Sequence, residues 1–268
     1  MNLKLFVHLY KKFPFPFGSE WIIPTGFERN LDIGGNYICL NDTQPNISEL
    51  LPKNESIDEY RVGYLAQTIA VEYWILKHIH DLDYVGVTGY RRYPLFNFNP
   101  ELTAPVISIE ANNESLQTIA NQTQIYHAKN ILQVYDAITP RSIYFPGSVR
   151  EQFIESQPKE IWELFLECIN EVTPEFSNKI KWFDIEKNSI YFGPMGMTPL
   201  NFFKEYADSY SKIVSLMCQR ASNPFILNDD SARMKTDRWI GYLAERYYPF
   251  FLFCNKISTY QVPTLFLK

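Results

Sequence analysis

An α/β fold is predicted by three observations. Apolar strand runs give way to Pro/Gly-rich loops, helical stripes separate the runs, and the apolar period shifts from helical to alternating around residue 81. Leu3 to Leu9 is the first run, a short apolar strand ending at His8, Tyr10, Lys11 and Lys12. Pro14, Pro16, Gly18, Pro24 and Gly26 then mark an irregular loop. Ligands of open α/β sheets collect outside the carboxyl ends of strands, so this loop is a natural binding wall.

Ser56-x-x-Glu59 has the form of a capping box ahead of a long helix. Val62, Leu65, Ala66, Ile69, Tyr73 and Leu76 recur at helical spacing and give one buried stripe as far as His80. Asp81-Leu-Asp83 breaks that stripe. Tyr84 to Thr88 alternates as a strand, and Tyr90-Arg91-Arg92-Tyr93 comes off its end before Pro94 stops it. Later helices are expected over Leu116 to Val134, from Pro158 through Ile169, from the cap and first position Thr198-Pro199 through Met217, and from Thr236 or Asp237 to Tyr247. The greasy segment Tyr247 to Cys254 is expected as a core strand, with apposition to a membrane as the alternative. No repeat or low-complexity segment occurs, so one domain is expected over the 268 residues.

Composition narrows the function classes. Hydrophobic residues make up 46%, enough for a substantial core, and the net charge of −5 with no long Lys/Arg run argues against a duplex-binding protein. Cys39, Cys168, Cys218 and Cys254 are scattered without a C-x-x-C pair, which fits free thiols in a reducing compartment. The apolar run at Met1 to Val7 is too short for a signal peptide, and no run is long enough to span a bilayer. A cytoplasmic protein is expected, with peripheral contact at the inner face of the membrane left open. No G-x-S-x-G, H-E-x-x-H, Walker loop or G-x-G-x-x-G is present, which weakens hydrolase, zincin, kinase and dehydrogenase readings.

Tyr90-Arg91-Arg92-Tyr93 is the first candidate site. Two guanidinium groups at the end of a buried strand need separate partners, because consecutive strand residues face opposite ways. A diphosphate suits them, since arginine matches its oxygens with fork geometry and keeps its charge. One internal salt bridge and one solvated arginine is the other reading. Asp81-x-Asp83 has the spacing of a metal-holding carboxylate pair, but it precedes the strand and reads chiefly as a turn. His78 and His80 do not share a helix face; His8, closing the first strand, is the histidine placed for a ligand. Arg238, Tyr242, Glu245 and Arg246 form one polar stripe on the last helix, either a solvated face or a wall of the cleft.

Taken together, these residues resemble a bacterial family of polysaccharide-biosynthesis glycosyltransferases long catalogued as a domain of unknown function. The family carries a His-Tyr-Arg-Arg-Tyr block after a Tyr-Trp-Ile-Trp-Lys-Asn-type helix. Here the helix reads Tyr73-Trp74-Ile75-Leu76-Lys77-His78 and the block Gly89-Tyr90-Arg91-Arg92-Tyr93, with glycine at the histidine position. His8 with Lys11, Asn46-Ile47-Ser48, Tyr135-Asp136 and Arg238-x-x-Gly241-Tyr242-Leu243-Ala244-Glu245-Arg246 are similar to further family blocks.

The resemblance implies an A-type glycosyltransferase fold, a Rossmann-like nucleotide-binding sheet flanked by helices. Its donor half would run to about residue 100 and its acceptor half over 101–268. It implies a nucleotide-sugar donor, uridine diphosphate with galactose or galactofuranose, and a glycan or lipid-linked glycan acceptor; the charge pattern adds the expectation of no nucleic acid partner. Tyr90, Arg91, Arg92, Arg238 and Arg246 would hold the diphosphate and His8, Lys11 and Trp74 the nucleotide. Asp237 and Glu245 are the candidate bases, with Asp229 and Asp230 behind them. No cofactor is required on this reading. The alternatives are a Mn or Mg ion on Asp81 and Asp83, a sugar-phosphate transferase, and a catalytically silent nucleotide- or glycan-binding subunit of a capsule assembly complex.

Overall fold

A computed structural model describes residues 1–9, 14, 19–26, 38–40, 69–184, 189–190, 194–220 and 239–268. The chain starts with β1 (Leu3–Leu9), β2 (Ile22–Gly26) and β3 (Ile38–Cys39), followed by α1 (Ala70–His78), β4 (Tyr84–Gly89) and β5 (Arg92–Pro94). β1 lies between β2 and β4 and runs parallel to both, with His8 level with Thr25 on one side and Gly89 on the other. Both faces of β1 are covered, which is why it reads as a nearly unbroken apolar run.

β6 (Val106–Ile109), α2 (Asn113–Ala120), α3 (Gln122–Ile131), β7 (Ala137–Pro140) and β8 (Ile143–Tyr144) come next. The single helix expected from Leu116 to Val134 is two, because Asn121 leaves the helical path and its side chain accepts from Thr123 N to start α3. Then follow α4 (Val149–Ile154), opened by a Ser148–Glu151 capping box, α5 (Lys159–Val172) and a 3₁₀ stretch over Pro174–Asp184. β9 (Ser189–Ile190), β10 (Thr198–Pro199), α6 (Leu200–Arg220), α7 (Trp239–Cys254), β11 (Thr259–Val262) and β12 (Thr264–Leu267) complete the described elements.

Thr198-Pro199, expected as a helix cap, is instead a short strand paired antiparallel with β4. Proline is tolerated there because β10 is the edge of its sheet. The segment Tyr247 to Cys254 is helix, not strand. α7 continues through Pro249, and its second half is buried among Phe176, Trp182, Phe183, Phe202 and Tyr206. A helix buried over most of its circumference is apolar nearly all round, with only Phe253 of this run half exposed, so the run carries no clear helical period. The proline has no N–H to tie to the carbonyl of Glu245 one turn earlier.

The main sheet has the order β10-β4-β1-β2-β3. One face of it supports α1, α5, α6 and α7 in a large aromatic-rich core that includes Phe6, Val85, Val87, Phe203 and Leu243. The other face, with Leu5, Val7 and Leu9, packs on Tyr93, Phe96, Ile138, Val262 and Leu265. Strands from early and late in the chain share sheets: β12 lies between β5 and β6, and β11 pairs with β7. Asp136 fastens the start of β7 by accepting from the Ser258 amide at 2.9 Å and its hydroxyl at 2.5 Å.

Three backbones are stacked where the sheets meet. A Cβ on Gly86 would lie 1.9 Å from the Gly196 oxygen, and one on Gly196 2.0 Å from the Ile138 oxygen. Gly196 also adopts φ +113°, a conformation open to glycine. Ile138 and Met197 exchange hydrogen bonds of 2.8 Å in both directions. These contacts fix β4, and therefore the turn that follows it, against the rest of the molecule.

Candidate functional site

The carboxyl edge of the main sheet gathers the candidate residues. β4 ends at Gly89, and the Tyr90 amide donates to the His8 carbonyl at 3.1 Å, tying the turn Tyr90-Arg91 to β1. The Thr88 hydroxyl closes the turn from inside by donating to the Arg92 carbonyl at 2.5 Å. Tyr93, next along β5, is 1% exposed and packs into the core between the sheets.

The two arginines part company, Arg91 in the turn and Arg92 opening β5. Arg91 donates through Nε to the Leu267 carbonyl at 2.8 Å, and its guanidinium lies over the Phe266 ring at 4.6 Å. Leu267 N donates back to the Arg91 carbonyl at 2.9 Å, so β12 holds this residue by backbone, side chain and ring. Arg92 points instead toward α7, with Nη1 3.8 Å from Glu245 Oε1. Both groups of that pair remain in contact with solvent, at 38% and 23%. The two blocks separated by about 150 positions in sequence therefore meet in space through Arg92 and Glu245.

Arg246 faces the other way from Glu245. It is 2% exposed, donates to the Tyr242 carbonyl at 2.5 Å and to Gln152 Oε1, and lies over the Phe153 ring at 5.2 Å. Burial draws its guanidinium down to about 10. Arg246 was expected among the phosphate ligands; its charge is instead enclosed between α7 and α4. Neighbouring helix positions diverge by about 100°, so one polar stripe divides into a solvent-contacting carboxylate and a core-facing guanidinium.

His8 is 3% exposed, and burial holds its imidazole down to about 3, so it is neutral at physiological pH. Trp74 lies in α1 with its ring 6.0 Å from Phe6 and stacked on His78 at 5.1 Å. Its Nε1 is buried without a hydrogen-bond partner among the described residues. Asp81 and Asp83 sit at the opposite, amino edge. Asp83 accepts from the Asn2 amide at 2.6 Å, and the Asp81 carbonyl accepts from the Asn2 side chain at 3.0 Å. The strand between them and the Arg92 turn is about 20 Å long. Among the described residues no cluster of three His, Cys, Asp or Glu could hold a metal ion. Lys11, Asp229, Asp230, Asp237 and Arg238 lie outside the described residues.

One group went unnoticed in the sequence. Glu72 is in the first turn of α1, and α1 runs against β4, so its first turn lies toward the carboxyl edge. It is 7% exposed, and burial pushes its carboxyl up to about 7. Its charge falls on Tyr206 and Tyr210 of α6, whose parallel rings lie 6.0 Å apart. Burial first, and then Glu72, push the Tyr210 hydroxyl well above its usual range; Glu245 adds to this and Arg246 opposes it. Tyr210 in turn donates to the Ile240 carbonyl in the first turn of α7. The available signal was spacing: Glu72 stands three positions after Ile69 and four before Leu76, on the apolar stripe itself.

A comparison with curated proteins gave no match. Among solved structures, the chain is similar to the apo structure of the WbbM bifunctional glycosyltransferase, with a TM-score of 0.79 at 18% identity. That likeness covers 100% of this chain and 46% of the other, so the chain spans just under half the length of that protein. The fold is accordingly a mixed α/β one, with sheets flanked by helices, that this chain shares with part of that protein. Residues 65–256 match the model described as a domain of unknown function (DUF4422), and the chain belongs to that family.

Proposed function

We propose that the protein is a glycosyltransferase that moves a hexosyl group from a nucleoside diphosphate, uridine diphosphate first among them, to a growing surface polysaccharide or lipopolysaccharide glycan. One observation carries the reading: the Tyr-Arg-Arg-Tyr turn and the Glu-Arg helix meet through Arg92 and Glu245 at the carboxyl ends of the parallel strands β1 and β4. That edge is where nucleotide ligands settle in open α/β folds. The fold likeness to a protein titled a glycosyltransferase supports the same assignment.

In the proposed mechanism the diphosphate lies against the Tyr90–Arg92 turn. Arg92 faces its oxygens with a charge that cannot be lost, and Arg91 keeps the turn in shape through Leu267 and Phe266. The bond from the anomeric carbon to the phosphate oxygen breaks, and the nucleoside diphosphate leaves with the electron pair. Guanidinium charge offsets the negative charge that develops there. The acceptor oxygen bonds the anomeric carbon through an oxocarbenium-like state, and its proton passes to a carboxylate, Glu245 or Asp237. Neutral His8, near the end of β1, and Trp74 of α1 are the proposed nucleotide contacts, which a ligand would reach only as their present packing opens. Arg238 stands immediately before α7, on the chain leading to Glu245. A Mn or Mg ion sharing the diphosphate charge is the alternative to arginine alone.

The test is nucleotide release from a panel of nucleotide sugars, with and without EDTA. Arg92→Ala is expected to lower kcat/KM by at least about 100-fold. Unimpaired turnover in that variant would remove the site. Complete loss of wild-type activity in EDTA would replace the arginine mechanism with the metal-assisted one.

A further inference from the structure

We propose that Arg92 and Glu245 work as a partner exchange: before the donor arrives Arg92 holds Glu245, and an incoming diphosphate takes over the guanidinium and releases the carboxylate to receive the acceptor's proton. The inference rests on the glycosyltransferase reading and adds an order of events to it. Donor binding would precede base activation.

The geometry favours exchange over a fixed bridge. At 3.8 Å the pair is long for a charge-assisted hydrogen bond, and both partners touch solvent. Pairs of this kind are worth little, so a diphosphate with two negative charges outcompetes one carboxylate. The neighbouring arginines are held differently. Arg91 is fastened to Leu267 and Phe266, and Arg246 is shut between Tyr242, Gln152 and Phe153. Arg246 thereby keeps α7 in register while the adjacent Glu245 side chain swings. Pro249 removes the hydrogen bond that would otherwise tie the Glu245 carbonyl to the next turn.

The consequence is chemical timing. A carboxylate that loses its guanidinium partner is a better proton acceptor. Glu245 would therefore accept the hydroxyl proton only once the leaving group is seated on Arg92. Bond changes then balance: carbon–phosphate oxygen cleaves, carbon–acceptor oxygen forms, the proton moves to Glu245, and the nucleoside diphosphate departs as the anion. Water activation in the absence of donor is suppressed by the same pair.

The experiment is calorimetric titration of uridine diphosphate alone into wild type, Glu245→Gln and Glu245→Asp, with turnover measured in parallel. Glu245→Gln is expected to bind uridine diphosphate roughly two- to five-fold tighter, because the competing charge is gone. Its turnover should fall at least about 100-fold, with partial recovery in Glu245→Asp. Retained nucleotide binding shows that the variant is folded. Unchanged or weaker binding by Glu245→Gln overturns the exchange even if turnover is lost, and unchanged turnover overturns the carboxylate's role. If wild type binds no uridine, guanosine or thymidine diphosphate, the donor site itself falls, an outcome distinct from either.

Discussion

The two edges of the main sheet use charged side chains in opposite ways. At the amino edge, Asp83 is an exposed acid already occupied by the Asn2 backbone, and Asp81 contributes only its carbonyl. At the carboxyl edge, His8, Glu72 and Arg246 are nearly dry, while Arg92 and Glu245 sit half in solvent. Acids that close a turn cost little and do little else. Titratable groups enclosed at that edge carry a desolvation cost, which His8 and Glu72 meet by shifting toward their neutral forms.

The largest expected break in this comparison is Arg246→Ala. Removing the enclosed guanidinium strips Gln152 and the Tyr242 carbonyl of their donor and Phe153 of its cover, a loss of about 3–5 kcal/mol in urea unfolding. A variant with wild-type stability and weakened uridine diphosphate binding would move Arg246 into the ligand site.

Next comes Glu72→Gln. The folded protein keeps this carboxyl protonated up to about 7, against 4.5 for the free group. The folded state therefore binds a proton that the unfolded state has released, and stability falls as pH rises through that window. At pH 8 the glutamine variant should be more stable than wild type by on the order of 3 kcal/mol, and at pH 4 by almost nothing. A pH-independent difference would show that Glu72 titrates normally. His8 acts with the opposite sign. Held neutral down to about 3, it loses stability for the fold as pH falls below 6.5.

The smallest effect is expected at the amino edge. Asp83→Asn should cost less than about 1 kcal/mol, and turnover should be unchanged. A large loss of turnover would relocate the chemistry to Asp81 and Asp83 and dissolve the contrast between the edges.

The carboxyl edge was legible in the sequence as far as local signals reach. β1, β4 and the basic turn after Gly89 follow from a short apolar run, an alternation and a stop at Pro94. The family resemblance assigned Arg92 and Glu245 to one site in separate roles, and neither it nor periodicity gave their direct contact. What escaped depends on long-range partners. Arg246 reads like its neighbour Glu245 until the position of Gln152 is known, and Arg91 reads like Arg92 until β12 arrives over it. Pro249 hid the second half of α7, because a proline is a fair signal for helix termination and is outweighed here by the burial of most of the helix around it.

The pairing of β12 with β5 has a consequence for biosynthesis. Leu267, which clamps Arg91, lies 176 positions downstream of it. A ribosome delivers the basic turn long before the strand that shapes it, at roughly 5–20 residues per second. For that interval of about ten to thirty seconds, the nascent chain presents two arginines with neither the clamp of β12 nor the carboxylate of α7. On the proposed reading, ligand affinity would then arise late and abruptly, when β12 docks between β5 and β6.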